Sequence, residues 1–334
     1  MRFTSSEILP IARADGFNED VVEKVLHLLH LLTTLKTHPS LKGKWVLKGG
    51  TALNLFVFRH PRLSVDIDLN YIGALGREEM LVERPGVERA AQAVFSREGF
   101  VIRKVPGDHA GGKWRLNYVG YTGQSRNLDV DFNFMFRQPL WELHYADSHP
   151  IGDFQAKRIP VLDIHELVAG KLAALFSRGQ ARDLFDCHRV LHAGDLHHDR
   201  LRIAFVVYGG MNRKDWRTVS AEDLGYEGTE FLRQLGPTLR APITRERAAL
   251  AEYAARLVDK CKGALCALLP FTDAERAFLD LLLDEGEIDA TILTSDSKLR
   301  ERIQAQPLLL WKALNVRRHK ESKHSQGRST LEAR

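Results

Sequence analysis

Residues Trp45 to Tyr71 read WVLKGGTALNLFVFRHPRLSVDIDLNY, and this stretch decides the fold. A short apolar run ends at Gly49 and Gly50, and Thr51 then offers a hydroxyl for the N-cap of a helix. The segment from residue 63 to residue 69 alternates apolar and polar side chains, which is typical of a strand. The pattern therefore predicts strand, glycine turn, helix and strand, with Asp66 and Asp68 on one strand face.

Two carboxylates at positions i and i+2 of a strand point the same way and repel each other unless a cation lies between them. Asp66 and Asp68 suit a hard divalent ion such as Mg²⁺, which takes one or two carboxylates and leaves room for phosphate oxygens. Gly49 and Gly50 allow close approach of the backbone to a triphosphate, whose charge suits the N–H groups of a helix start. Taken singly, a Gly-Gly pair indicates a turn and D-x-D a solvated strand face. Their combination within one short unit favours a nucleotide–metal site.

The bulk composition is that of an ordinary globular protein. The chain has 334 residues, 44% hydrophobic and 27% charged, and a formal net charge of +5. That length predicts two domains, and the mildly basic balance is compatible with a nucleic-acid partner. The three cysteines show no metal-ligand spacing. Neither a run of 18 apolar residues nor a secretory leader is found, so we expect a cytoplasmic protein without a membrane span.

A second alternating stretch, from residue 127 to residue 134, predicts another strand with acids on one face. Asp131 lies in the middle of that stretch, so it is the stronger candidate for a third metal ligand. Asp129 is also interpretable as a solvated edge position.

The best-marked helix of the chain runs from Asp163 to Gly179. Asp163 and Glu166 have the spacing of a capping box. Lys171 falls inside the apolar stripe, where either its stem packs and its amine reaches water, or its amine enters a cleft and meets an anion. Asp183, in the first turn of the next helix, is either a cap residue or part of the site.

The remaining sequence is rich in predicted helices, including one over residues 221–234, and ends in a basic segment. We predict a core with its N-terminal helix over residues 1–160, a mainly helical domain that completes the active site over 161–315, and a disordered basic tail over 316–334. The arginines between Arg240 and Arg247 either attract an RNA backbone or lie on solvated helix faces.

Several of these motifs together resemble one family. Gly49-Gly50-Thr51-Ala52-Leu53, followed by Arg62-x-Ser64-x-Asp66-x-Asp68, is similar to nucleotidyltransferase-fold toxins of the AbiEii/MenT type, from type IV toxin–antitoxin and phage-defence systems. These toxins belong to the DNA-polymerase-β-like nucleotidyltransferase superfamily. Asp131, the Glu166 to Lys171 helix and Arg182-Asp183-x-x-Asp186 extend the resemblance over residues 40–190.

The resemblance implies an α+β fold, with a mixed nucleotidyltransferase sheet flanked by helices and a mainly helical C-terminal domain. It implies Mg²⁺ or Mn²⁺, an NTP substrate, an RNA acceptor such as the 3′ end of tRNA, inhibition of translation, and an antitoxin encoded nearby. The implied nucleotide-binding residues are Gly49, Gly50, Thr51, Ser64 and Lys171, the implied metal ligands are Asp66, Asp68 and Asp131, and the implied catalytic residues are Asp66, Asp68, Lys171 and Asp183.

Two other functions stay open at this stage. The same fold could transfer a nucleotide to a protein or a small molecule, or the chain could be a non-catalytic module that binds nucleotide or RNA. The complete set of Asp66, Asp68 and Lys171 argues against the non-catalytic module.

Overall fold

A seven-stranded mixed sheet forms the centre of the molecule. The computed structural model describes residues 2–107, 110–192, 195–226, 228–240 and 247–332, with no side chains described at 230, 232, 247–250 and 323–332. The strands are β1 Trp45–Lys48, β2 Asp66–Tyr71, β3 Val101–Lys104, β4 Gly111–Val119, β5 Ser125–Asn133, β6 His144–Ala146 and β7 Ile159–Val161. Their order across the sheet is β3-β4-β5-β2-β1-β7-β6.

Strand β2 occupies the middle of the sheet, antiparallel to β1 and parallel to β5. The parallel pair β1 and β7 and the antiparallel pairs β3–β4, β4–β5 and β6–β7 complete the sheet. Ile67 and Leu69 of β2 are fully buried on the face opposite its aspartates. The mixed sheet with flanking helices confirms the predicted α+β fold.

Helices surround this sheet and make up most of the C-terminal half. The α-helices are α1 Ser5–Asp15, α2 Glu19–Thr37, α3 Gly49–Thr51, α4 Arg77–Arg97, α5 Ile164–Arg178, α6 Ala181–His192, α7 His198–Gly210, α8 Gly228–Glu230, α9 Arg247–Leu265, α10 Asp273–Asp280, α11 Ser297–Gln304 and α12 Pro307–Glu332. Turns of π-helix span Ala52–Val57, Phe231–Leu235 and Leu281–Glu285, and 3₁₀ turns span Trp216–Thr218, Ala221–Asp223, Gly236–Thr238 and Ala290–Ile292. Among the helices of the described residues, none is long and apolar enough to cross a membrane.

The decisive stretch folds in the predicted order but with two shifted boundaries. Helix α3 begins directly after β1 with Lys48 as its N-cap, so the prediction that Thr51 caps the helix is wrong. The helix then continues as the π-helical turn Ala52–Val57. Strand β2 begins at Asp66 rather than at Leu63, because the Leu63 amide donates to the Thr238 carbonyl instead of to a neighbouring strand.

The C-terminal helices differ more from the prediction. Helix α5 packs against α6 and α7, and α6 packs against α9. The helix predicted over residues 221–234 is instead a series of short turns. Helix α12 continues to Glu332 through a segment rich in Arg and Lys, which favour helix, and the disordered basic tail over residues 316–334 remains a prediction. The domain boundaries at residues 160 and 315 remain a prediction.

Candidate active site

Two aspartates on neighbouring strands form the acidic side of the site. In the parallel pairing of β2 with β5, Asp68 is opposite Asp131 and Asp66 is opposite Asp129. Paired residues of adjacent strands, about 4.8 Å apart, project to the same face, so Asp68 and Asp131 lie side by side. Neither forms an ion pair with any residue that the structure describes. The pair is therefore free to meet a cation.

The other two aspartates on this face already have cationic partners. Asp129 accepts hydrogen bonds from Arg115 at 3.0 and 3.2 Å, and the Lys113 ammonium lies 3.6 Å from its carboxylate. Asp66 lies 3.4 Å from Arg182. Within the described ranges, no three His, Cys, Asp or Glu side chains are gathered closely enough to hold a metal ion. Asp66, Asp68 and Asp131 thus share a face, and their joint role as ligands remains a prediction.

The glycine turn is packed tightly against these acids. Gly49 has a φ of +72°, and a Cβ at this position would lie 2.2 Å from Oδ2 of Asp68. A Cβ at Gly50 would lie 2.8 Å from Nη2 of Arg62 and 3.2 Å from Oγ of Ser64. Both positions therefore require glycine, the first for its left-handed backbone and both for lack of space.

Thr51 and Ser64 lie beneath the turn. Thr51 is fully buried, and its hydroxyl donates a hydrogen bond to the backbone carbonyl of Asp66, which fixes the start of β2. Ser64 is buried beside Gly50. Both residues support the turn from below, and their predicted contact with a nucleotide is not tested by this geometry.

Lys171 lies at the centre of a buried network of charges. Its ammonium is 2.8 Å from Oδ1 of Asp183 and 2.9 Å from Oδ2 of Asp186. Arg62 donates to both oxygens of Asp186 at 2.8 and 2.7 Å, and Arg178 donates to Asp183 at 2.7 Å. Three cations thus meet two carboxylates, which leaves the network with a formal charge of +1.

The network favours the ionised forms of Lys171 and Asp186. Burial by itself lowers the pKa of Lys171, but the charges of Asp186 and Asp183 outweigh it and raise that pKa above its ordinary value. Burial opposes the ionised form of Asp186, yet Arg62 and Lys171 hold its pKa well below the usual range. The Lys171 side chain therefore lines a cleft, as one of the two alternatives predicted, and its ammonium is paired there with the carboxylates of Asp183 and Asp186. Arg62 and Asp186, which the predicted site does not include, are part of the same unit.

A pocket of about 480 Å³ brings these groups together. Of the predicted residues, Gly49, Asp68, Asp131 and Lys171 line it, whereas Gly50, Thr51, Ser64, Asp66 and Asp183 lie outside its lining. The lining also includes the cations Lys48, Arg178 and Arg213 and the apolar or aromatic side chains Phe136, Leu162, Leu167, Tyr208, Met211 and Leu308. Cations, acids and apolar surface in one cleft suit a charged ligand with an aromatic part.

Helix α5 forms one long wall of this pocket. Its lining residues run from Glu166 through Lys171 to Arg178. Twelve residues of α-helix advance about 18 Å, so the wall is long enough for an extended nucleoside triphosphate. Lys171 lies near its middle, with Arg178 near one end and an aromatic cluster near the other.

Glu166 lies at that aromatic end of the pocket, although its spacing predicted a role in a helix cap. The predicted capping box is wrong, because Asp163 caps α5 with its own carboxylate while Glu166 turns inward. Glu166 accepts hydrogen bonds from the Tyr208 hydroxyl at 3.0 Å and from the Trp141 amide at 3.3 Å. Burial raises its pKa to about 7. The ring of Tyr208 also stacks on Phe136, with centroids 5.6 Å apart.

Comparisons with known proteins identify a family and a similar fold. A family described as nucleotidyl transferase AbiEii toxin, type IV toxin–antitoxin system, matches residues 30–264. The fold is similar to that of MenT4, a nucleotidyltransferase toxin from Mycobacterium tuberculosis H37Rv, with a TM-score of 0.60 and 19% identity over 92% of this chain and 99% of that one. A search of curated proteins finds no match.

Proposed function

The chain belongs to the AbiEii family of nucleotidyltransferase toxins of type IV toxin–antitoxin systems. From this premise we propose that it transfers a nucleotide from an NTP to the 3′ end of an RNA acceptor, namely tRNA, and thereby inhibits translation. The observation that carries the proposal is the placement of Asp68 beside Asp131 in the same pocket as Lys171. Acids beside a buried cation suit phosphoryl chemistry, which needs both a metal site and charge stabilisation.

The acids fit a divalent ion by their donor chemistry. Asp68 and Asp131 offer carboxylate oxygens without an ion-pair partner among the described residues, and Asp66 lies on the same face. We propose that Asp68 and Asp131, with Asp66 on the same face, hold Mg²⁺ or Mn²⁺, since such ions need only one or two protein carboxylates and complete their shell with water and phosphate. When bound, the ion supplies positive charge to the triphosphate and acidifies the attacking hydroxyl.

The chain's own groups perform the remaining tasks. The 3′-hydroxyl oxygen of the acceptor forms a bond to the α-phosphorus, and the bond from that phosphorus to the bridging oxygen of pyrophosphate breaks. The hydroxyl proton passes to a carboxylate oxygen of Asp131. Lys171 and Arg178 stabilise the charge that develops on the leaving pyrophosphate. Asp183 contacts both of these cations and orients them.

The remaining parts of the proposal concern partners. We propose that the protein acts in the cytoplasm, where NTPs and tRNA are available. We also propose that a cognate antitoxin encoded nearby controls it. The arginines between Arg240 and Arg247 were predicted either to attract an RNA backbone or to lie on solvated helix faces. Residues 241–246 and the side chain of Arg247 lie outside the described residues.

Incubation with each of the four labelled NTPs, together with total tRNA or total protein, tests the proposal. We expect label on tRNA, lost in Asp68→Asn and retained in Asp129→Asn. The second variant is a matched control, because Asp129 lies on the same sheet face but is already paired with Arg115. Label on protein alone would redirect the proposal to a protein acceptor. Equal transfer by the two variants would disprove the role of the acidic pair.

A further inference from the structure

Helix α12 exposes a cluster of large apolar side chains. Leu310 is 48% exposed, Trp311 51% and Leu314 39%. The opposite face of the helix is anchored by Leu309 and Ala313, which are buried. The other large exposed apolar residues of the described chain lie apart from this helix and mostly singly. A cluster of exposed apolar side chains on one helix marks a binding surface more often than scattered ones do.

This cluster borders the mouth of the active-site pocket. Leu308, three residues before Trp311, lines the pocket. Lys312, one residue after it, donates a hydrogen bond of 2.6 Å to the backbone carbonyl of Asn212, which also lines the pocket. A step of three residues is about 4.5 Å along a helix axis, so Trp311 lies one turn from the pocket.

Positive charge lies near the exposed tryptophan. Arg318 follows Trp311 by seven residues, so the two share a helix face, and Arg318 is exposed. Arg213 is also exposed, lines the pocket and follows Asn212, the residue that Lys312 contacts. The surface therefore combines an exposed aromatic ring with nearby cations, as do the proteins that bind single-stranded nucleic acids by base stacking and backbone contacts.

We propose that the α12 platform, defined as Leu310, Trp311, Leu314 and Arg318, binds the single-stranded 3′ end of the RNA acceptor. A base stacks on Trp311, while Arg318 and Arg213 contact phosphates, which directs the terminal hydroxyl into the pocket. The inference rests on the proposed function, since it assigns the docking surface of the same acceptor. The nearby arginines favour a polyanion over a protein partner.

Tryptophan fluorescence provides a direct test of binding without catalysis. Trp311 is half exposed and Trp141 is partly buried, whereas the other three tryptophans, Trp45, Trp114 and Trp216, are buried. Titration of the protein with an eight-nucleotide single-stranded RNA at low salt should quench the tryptophan fluorescence, and this quenching should disappear in Trp311→Phe. By filter binding, Trp311→Ala should raise the Kd for the same RNA by about five- to a hundredfold, the range for loss of one stacked base. Trp311→Tyr should restore most of the affinity.

A matched control separates stacking at this platform from general surface effects. Tyr145 is 60% exposed, and Arg158 lies over its ring, with its guanidinium 5.8 Å from the centroid. It is thus another exposed aromatic beside a cation, on strand β6 and outside the pocket lining. We expect Tyr145→Ala to bind RNA as the wild type does. Equal losses in Tyr145→Ala and Trp311→Ala would overturn the specific platform.

Two further outcomes are decisive. If Trp311→Ala binds RNA normally but changes a dimeric wild type into a monomer, the surface is an interface between copies and the inference fails. Transfer of label to tRNA with unaltered acceptor KM in Trp311→Ala would likewise refute the platform while leaving the proposed function intact. Quenching and its loss in the variant, without any transfer to RNA, would support the platform and refute the function.

Discussion

Gly49→Ala is the sharpest test of the site geometry. A Cβ at this position would lie 2.2 Å from Oδ2 of Asp68, whereas ordinary contact begins at 3.4 Å. The carboxylate must therefore move by about 1 Å, and misplacement of a reacting group by that distance costs about a hundredfold in rate. The left-handed backbone adds about 1–2 kcal/mol of strain for any residue with a Cβ.

Gly43→Ala is the matched control. Gly43 has a φ of +73°, nearly the same as Gly49, but a Cβ there would meet nothing within 4 Å. Both variants should therefore lose about 1–2 kcal/mol in the free energy of unfolding through backbone strain, to which the clash adds only in Gly49→Ala, as measured by urea denaturation. Gly49→Ala alone should lose about a hundredfold in transfer of labelled nucleotide. If both variants retained the same activity, the contact between the glycine turn and Asp68 would have no catalytic importance.

Two further predictions concern buried charges. Asp186→Asn removes a carboxylate from Arg62 and Lys171, so we expect a loss of about 3–5 kcal/mol in the free energy of unfolding. The exposed Asp199→Asn should change it by less than about 0.5 kcal/mol, and equal effects would contradict the network. Burial raises the pKa of Glu166 from 4.5 to about 7. Between these two pH values the unfolded chain loses this proton while the folded protein keeps it, so the free energy of unfolding falls as pH rises through the window. Glu166→Gln should lack this loss and be more stable than the wild type above pH 7, by on the order of 3 kcal/mol in urea titrations, and parallel pH curves would contradict the buried acid.

Local patterns allowed much of the fold to be predicted, and they indicate which candidate site residues share an element. The order strand, turn, helix, strand follows from residues that are neighbours in sequence, and so does the shared face of Asp66 and Asp68. Helix α5 was predicted nearly to its ends, because its apolar stripe and its Asp163 cap are local signals. Helix α7 was missed, because it is buried on most sides and carries no one-sided stripe.

The rest of the site depends on contacts between distant residues. Arg62 and Asp186 are 124 residues apart, and nothing in either local pattern indicates that they meet. Glu166 has the spacing of a capping residue, and its inward turn is decided by Tyr208, 42 positions further along the chain. Spacing predicts which side chains share an element, whereas pairing across elements depends on the packing of the whole chain.

The ion pair between Arg62 and Asp186 also bears on when the protein becomes active during its synthesis. Arg62 is almost completely buried, and both of its carboxylate contacts are to Asp186. A nascent chain that still lacks Asp186 already carries the glycine turn and the acidic strands, but it has no counterion for this guanidinium. An unpaired buried charge disfavours the folded arrangement. Translation products that end before Asp186 are therefore expected to lack a folded site, and a complete pocket also requires the later residues Tyr208, Arg213 and Leu308.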